Sequence, residues 1–486
     1  MSRKRRPVFY KAICTLAVSA ALLNGCSLAP VYHAPAVAIP TDSWQDNMWQ
    51  LAKPVDDQSH GNWWQLFNDP TLNSLEDQID KANPSLAAAL ARYDEATAYT
   101  QQLQAGLGPT VGADVGLSNN RQSDNRPLRG ANQPNVYDAN TVGLSASYAL
   151  DIWGQVRNQV AAGKANAQAS AADLQTVRLS LQATLADTYV SLRGIDAQIK
   201  ISNDAITAYT QALDLTQRRH EGGVASGIDV SRAQTELSSV KSEAADLLAQ
   251  RAIYEHAIAS LIGQPAMSFS LPAEMQHMEI PDIPVSLPSE LLLRRPDIAA
   301  AERRTAAANA TIGVARAAYY PGLSLGAAYG VQNTGSAGLF SVPNTFWSIG
   351  PNALMTLFDS GLHDAQLAQA RAALEEASSV YRSVVLNAFQ QVEDNLSQLK
   401  FSKQSELEQQ EAMVASEKTL ALALNRYREG AVNYLEVVTS QEASLAATRR
   451  AVDIHTQQLK SSVDLIRALG GGWSQNTNPP SPHQID

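Results

Sequence analysis

Residues able to do covalent or acid–base chemistry are few and scattered in this 486-residue sequence. The only thiols, Cys14 and Cys26, lie near the N-terminus, leaving no disulfide framework, Cys-rich zinc site or thiol nucleophile downstream. The eight histidines show no HExxH or paired-ligand spacing, and there is no phosphate loop or nucleophile constellation. No enzymatic activity, cofactor or metal is expected, and His220 and His455 read as solvated helix residues. Two carboxylates do stand out. Asp229 and Glu436 each follow a glycine turn by a few residues and lie 207 positions apart. With 37 basic against 47 acidic residues the chain carries −10; lacking a basic stripe to neutralise a phosphate backbone, it is not expected to bind nucleic acid.

The segments that must position those carboxylates begin with an address. Arg3, Lys4, Arg5, Arg6 and Lys11 form a basic head before an apolar run over 12–23, too short to span a bilayer comfortably and suited to a signal peptide. The run ends in Leu23-Asn24-Gly25-Cys26. This resembles the lipobox of bacterial lipoproteins, in which a small residue precedes a cysteine that is lipidated and becomes N-terminal on cleavage. Ser27 follows where an aspartate would point to the inner membrane, so the resemblance implies the outer one. Five of the 37 basic residues and none of the 47 acidic ones leave with residues 1–25, giving a mature net charge of −15. No later stretch of about 18 continuous apolar residues exists, so any spanning must be by strands.

The chain repeats itself. Ala82-Asn83-Pro84-Ser85-Leu86 reads like Arg294-Arg295-Pro296-Asp297-Ile298 at an offset of 212, which also carries Pro109 onto Pro321. Farther on the offset is 207, pairing Gly154 with Gly361, Gly223 with Gly430, Asp229 with Glu436, Gln234 with Gln441 and Gly263 with Gly470. Two copies of one unit are expected.

Each copy parses by period. Residues 84–107 are helical, with proline in the first turn and glycines at the end. The period then changes to two: Val111, Ala113, Val115 and Leu117 alternate with Thr110, Gly112, Asp114, Gly116 and Ser118, and 141–150 behaves likewise. The second copy repeats this with Leu323, Leu325, Ala327, Tyr329 and Val331, then less cleanly with Trp347, Ile349, Ala353, Met355 and Leu357. Strands apolar on one face and small or polar on the other suit a tilted membrane barrel; a soluble half-buried hairpin uses the same alternation. After each hairpin, 155–220 and 363–428 run 66 residues without proline, a helix of roughly 100 Å each. Leu174, Leu181, Leu185, Leu192, Ile195 and Ile199 mark one packing seam; Ala370, Tyr381, Ala388, Val392 and Leu396 lie on the other. Return helices are expected over 229–262 and 436–469. A short helix and a return helix, end to end, would match one long helix. The proline-rich stretch 264–289 would form a collar at that junction.

Four strands cannot close a membrane barrel, because an open edge in lipid leaves N–H and C=O groups unpaired at several kcal/mol each. The protein must oligomerise. Two copies would give eight strands with an interior filled by side chains and three would give twelve, wide enough for a passage; Gly112, Gly116, Gly143, Gly326 and Gly330 on the small-residue side weakly favour the open version.

Taken together, Trp63-Trp64-Gln65-Leu66-Phe67-Asn68-Asp69-Pro70, Leu150-Asp151-Ile152-Trp153-Gly154, Arg294-Arg295-Pro296-Asp297-Ile298, Tyr320-Pro321, Leu357-Phe358-Asp359-Ser360-Gly361 and Leu469-Gly470-Gly471-Gly472 resemble the TolC-like outer-membrane factors. The likeness is to their lipoprotein branch, found in tripartite (RND-type) multidrug efflux systems. Ser360 stands where that family often has glycine. The resemblance implies a fold that is mainly α with a membrane β-barrel: a homotrimer with a 12-stranded barrel and an α-helical periplasmic tunnel. It implies an exit duct, in the outer membrane of a Gram-negative bacterium, that passively conducts drugs or other small toxic compounds. The partners implied are a periplasmic membrane-fusion adaptor, an inner-membrane efflux transporter and outer-membrane lipid. On this reading residues 1–25 are the signal, 26–82 a lipid-anchored N-terminal segment and collar, and 83–263 the first repeat. Residues 264–294 are then an equatorial insertion, 295–470 the second repeat and 471–486 a tail. Asp229 and Glu436 match the family's acidic residues at the periplasmic aperture, where a trimer would bring up to six carboxylates to one hole; helix-start placement, worth about 0.3–1 kcal/mol, explains a carboxylate there equally. Thr439 stands where some members carry a second acid. Arg426, Tyr427, Arg428 and Tyr434 are candidate latches between helices. Gly222, Gly223, Val224, Ala225, Gly430, Ala431 and Val432 are the adaptor contact the resemblance implies. The rival readings are a duct for type I protein secretion, and a lipid-anchored coiled-coil tether that conducts nothing.

Overall fold

In a computed structural model, residues 27–36, 62–125, 134–274, 278–283, 295–335 and 338–471 are described. Cys26, the signal, most of the tail and parts of both collar segments lie outside them. Helices come first in amount: α1 (Pro70–Ala82), α2 (Pro84–Ala105), α3 (Gln155–Glu221), α4 (Gly227–Leu261), α5 (Pro296–Ala317), α6 (Leu362–Arg428) and α7 (Tyr434–Ala468). Four strands, β1 (Thr110–Arg121), β2 (Val136–Leu150), β3 (Gly322–Asn333) and β4 (Thr345–Leu354), fall as one hairpin after α2 and one after α5. The expected class, mainly helical with a small complement of strands, is what the chain adopts.

Helix starts follow local chemistry. Proline opens α1, α2 and α5, where its missing N–H costs nothing. The Asp69 carboxylate caps α1 by accepting from the Thr71 and Leu72 amides at 2.8 and 3.0 Å, and the Asn83 side chain caps α2 through Ser85 and Leu86. The long helices α3 and α6 each reach 67 residues, within a residue of the span without proline.

The described residues group into two compact units. One contains the sheet, the helix segments that adjoin it and residues 27–36. Its strands form an antiparallel meander in the order β1-β2-β3-β4, so β1 and β4 are edges. The register sets Val111, Ala146, Ala327 and Ile349 in one row and Ala113, Leu144, Tyr329 and Trp347 in the next, all on one face. That apolar face is open: Val111 is 70% exposed and Trp347 73%. The first hairpin is longer than the apolar alternation predicts, because pairing continues through polar residues; Asn119 donates to the Asp138 carboxylate across the strands at 2.8 Å. Conversely β4 stops at Leu354, short of the expected Met355 and Leu357. Its partner β3 begins at Gly322, immediately after Pro321, which has no N–H with which to extend the ladder.

The second unit holds the largest core, in which Trp63, Trp64, Phe67, Leu72, Leu75 and Ile79 meet Leu174, Leu185 and Leu192 of the predicted α3 seam, together with Tyr189. Here α4 ends against the start of α2. Gly263, at φ +71°, approaches the Ala82 carbonyl so closely that a Cβ would lie 2.2 Å from its oxygen, and the Asn83 amide donates to the Leu261 carbonyl at 2.7 Å. The second copy makes the same joint with different chemistry: Arg295 donates to the Ala468 carbonyl at 3.0 Å. Asn83 and Arg295 are equivalent at offset 212, and Leu261 and Ala468 at 207. The expected end-to-end stacking of short and return helices is therefore present in both copies.

Candidate functional site

The two helical turns that carry the candidate site are built alike. At the end of α3, Gly223 takes φ +78°, its amide donates to the His220 carbonyl, and the Val224 amide donates to Arg219. At the end of α6, Gly430 takes φ +79°, its amide donates to Tyr427, and Ala431 donates to Arg426. This is the 5→2, 6→1 pattern of a helix terminated by a left-handed glycine, and every participant has its repeat partner 207 positions away. Gly222, Gly223 and Val224 are exposed, as are Gly430 and Ala431; Ala225 and Val432 are half-buried.

The two carboxylates are held differently. Asp229 is the third residue of α4 and closes a capping box: its amide donates to the Ser226 hydroxyl, and its Oδ2 accepts from the Ser226 amide at 3.2 Å. Only 16% of its side chain is exposed, with Arg232 at 3.9 Å. Glu436, the third residue of α7, leaves capping to Asn433, whose Oδ1 accepts from the Glu436 amide. Its carboxylate is 45% exposed and pairs with Arg426 at 3.2 Å. Helix-start placement thus accounts for both backbones, while Glu436 presents the more exposed carboxylate of the two, paired with Arg426. Thr439 donates to its own helix carbonyls.

Between the turns lies a small buried cluster. Tyr427 and Tyr434 meet edge to face at 5.3 Å and pack with Ala212, Ala233, Val437 and Val438. Burial, then the neighbouring Tyr427, Glu236 and Asp229, pushes the Tyr434 hydroxyl up to about 12. The decisive cross-link was not foreseen: Arg219 donates to the Tyr427 and Arg428 carbonyls at 2.8 and 3.1 Å and lies over the Tyr427 ring at 4.8 Å. Of the four candidate latches, Arg426 pairs with Glu436, the two tyrosines form the core, and Arg428 contributes a carbonyl. Arg219 is the repeat equivalent of Arg426, which was the one signal that could have found it.

The family model described as outer membrane efflux protein matches residues 75–264 and 287–471. The chain belongs to that family. It is 31% identical to the antibiotic efflux pump outer membrane protein ArpC of Pseudomonas putida, over 96% of this chain and 97% of the relative. It is 32% identical to the pyoverdine export outer membrane protein OpmQ of the same species, over 96% and 98%. Among solved structures, the outer-membrane channel OprN superposes with a TM-score of 0.83 at 29% identity, covering 92% of this chain and all of that one. This outer-membrane efflux protein therefore acts in export through the outer membrane, as its family does.

Proposed function

We propose that the protein is the exit duct of a tripartite efflux pump: a homotrimer whose sheets close into a 12-stranded barrel and whose helices form a periplasmic tunnel. The observation that carries this is the sheet itself. Its two edge strands expose a ladder of unpaired backbone groups, and large apolar side chains stand exposed on one face of all four strands, among them Val111, Leu144, Tyr329 and Trp347; in lipid, copies must pair edge to edge. The helical turns at Gly223 and Gly430 are the periplasmic aperture and adaptor contact, with the two carboxylates, Glu436 foremost, at the hole and Arg219, Arg426, Tyr427, Arg428 and Tyr434 holding it shut. Energy comes from an inner-membrane transporter joined through the adaptor. Cargo is small toxic compounds; the different cargoes in the names of ArpC and OpmQ fit a duct that leaves choice to the pump.

Lipidation at Cys26 completes the proposal. The residues that follow it are held to the unit containing the sheet: the Ser27 hydroxyl donates to Asn158 at 2.9 Å, and the Leu28 and Pro30 carbonyls accept from Arg316 and Asn309. Asn158 lies eight residues beyond the end of β2, in the unit that contains the sheet.

Mass measurement in detergent together with planar-bilayer recording tests the duct. A trimer that conducts, with Glu436→Gln altering cation block, is expected. A monomer that never conducts leaves a tether and overturns the reading.

A further inference from the structure

One row of the sheet differs from all others on its small-residue face. The register aligns Asp114, Gly143, Gly330 and Phe346 across the four strands. On that face the remaining positions are mainly Gly, Ser, Thr, Ala, Asn and Gln, and Asp114 is the only charged side chain among the described residues. The two middle positions are buried glycines with the outer two side chains leaning over them. A Cβ on Gly143 would lie 3.1 Å from Asp114 Oδ1, and one on Gly330 would lie 2.9 Å from Phe346 Cε1. The carboxylate and the ring thus converge from opposite edges onto paired glycines. Asp114 is exposed, and among the described residues no donor reaches its carboxylate.

We infer that this row is a binding subsite for lipophilic organic cations inside the barrel, with Asp114 supplying charge and Phe346 an aromatic face; the inference rests on the duct reading above. A cation over an aromatic face gains about 0.5–1 kcal/mol at a hydrated site, and a carboxylate beside it adds Coulomb attraction that water does not fully screen. The glycines do the steric part. Any side chain at Gly330 would strike the Val142 carbonyl oxygen, 2.6 Å from its Cβ, as well as the ring, so the floor of the subsite stays bare backbone. Three copies around a lumen would place three such subsites along the exit path, where they raise the local concentration of cationic cargo and repel anions.

The test uses the full-length protein in planar bilayers in a D229N/E436Q background, so that tip carboxylates do not dominate selectivity. Reversal potential in a KCl gradient gives the cation preference, and block by tetraphenylphosphonium reads the subsite. Asp114→Asn is expected to lower the cation-to-anion permeability ratio and raise the half-blocking concentration by about three- to tenfold, with Asp114→Glu restoring both. Phe346→Leu is expected to weaken block while leaving the permeability ratio unchanged. If Asp114→Asn does not assemble, Asp114→Ser replaces it with the same expected shifts. Conducting channels in which these changes move neither quantity overturn the subsite and leave the duct standing; a background protein that never conducts overturns both.

Discussion

At the scale of single residues, the helical unit contains one buried chain of charged and polar groups. The Asp69 Oδ2 accepts from the Tyr189 hydroxyl at 2.8 Å, that hydroxyl accepts from Arg193 Nε at 3.0 Å, and Asp196 sits between Arg193 and Arg251 at 3.0 and 2.7 Å. Arg193 and Arg251 also donate to the Pro272 and Leu271 carbonyls, tying the collar down. Asp196 is 2% exposed at its side chain, so Asp196→Asn takes the paired carboxylate from Arg193, while Arg251 keeps Glu255 at 3.2 Å, and is expected to cost about 3 kcal/mol in denaturant unfolding. Loss of the exposed Lys200–Asp204 pair, 54% and 65% open, should cost under about 1 kcal/mol. Asp187 gives a pH signature. Burial raises its carboxyl from 3.8 to about 6, against the lowering effect of Lys460. Because the folded state holds this proton more tightly, the contribution to stability is full below pH 3.8 and is lost as pH rises through about 6. Relative to Asp187→Asn, the wild type should therefore lose stability between those values, by about 1 kcal/mol after solvent screening; parallel unfolding midpoints of the two proteins across that range would refute the assignment.

At the scale of elements, two helix-ending glycines of the first copy do unequal work. Gly223 and Gly263 both take positive φ, but a Cβ on Gly223 meets nothing within 4 Å, whereas one on Gly263 runs into backbone. Gly223→Ala should cost about 1 kcal/mol of backbone strain. Gly263→Ala adds a steric clash at the α4–α2 joint and should cost about 2–4 kcal/mol, read as the difference in thermal midpoint between the variants. The joint also shows what was legible in sequence. Repeat spacing and summed helix lengths announced that short and return helices meet end to end. That Asn83 and Arg295 both bond the last turn of the return helix was not legible, since an amide and a guanidinium share no sequence pattern; only the common position of the carbonyl unites them.

At the scale of the whole molecule, the proposed lipid anchor has its own test. Radiolabelled palmitate is expected to enter the wild type and not Cys26→Ala, provided the alternative signal cleavage is verified by N-terminal sequencing. Label retained by the variant would remove the lipid anchor from the account. The net charge of −10 belongs to the sequence as a whole and does not locate charge along the proposed duct, so bulk electrostatics alone do not predict selectivity.

The sequence by itself determined the two-copy plan, the long helices, the four strands and their apolar face, and the glycine turns. Each is written in local period or in the few residues that permit an unusual backbone, and neither depends on distant partners. The tertiary structure alone decided which carboxylate is spent on its own helix and which stays open, that Arg219 rather than Arg428 reaches across the turns, and that Asp114 faces Phe346 over two glycines. These depend on register and on contacts between segments separated by tens to hundreds of residues, where packing sets the outcome and no local pattern records it.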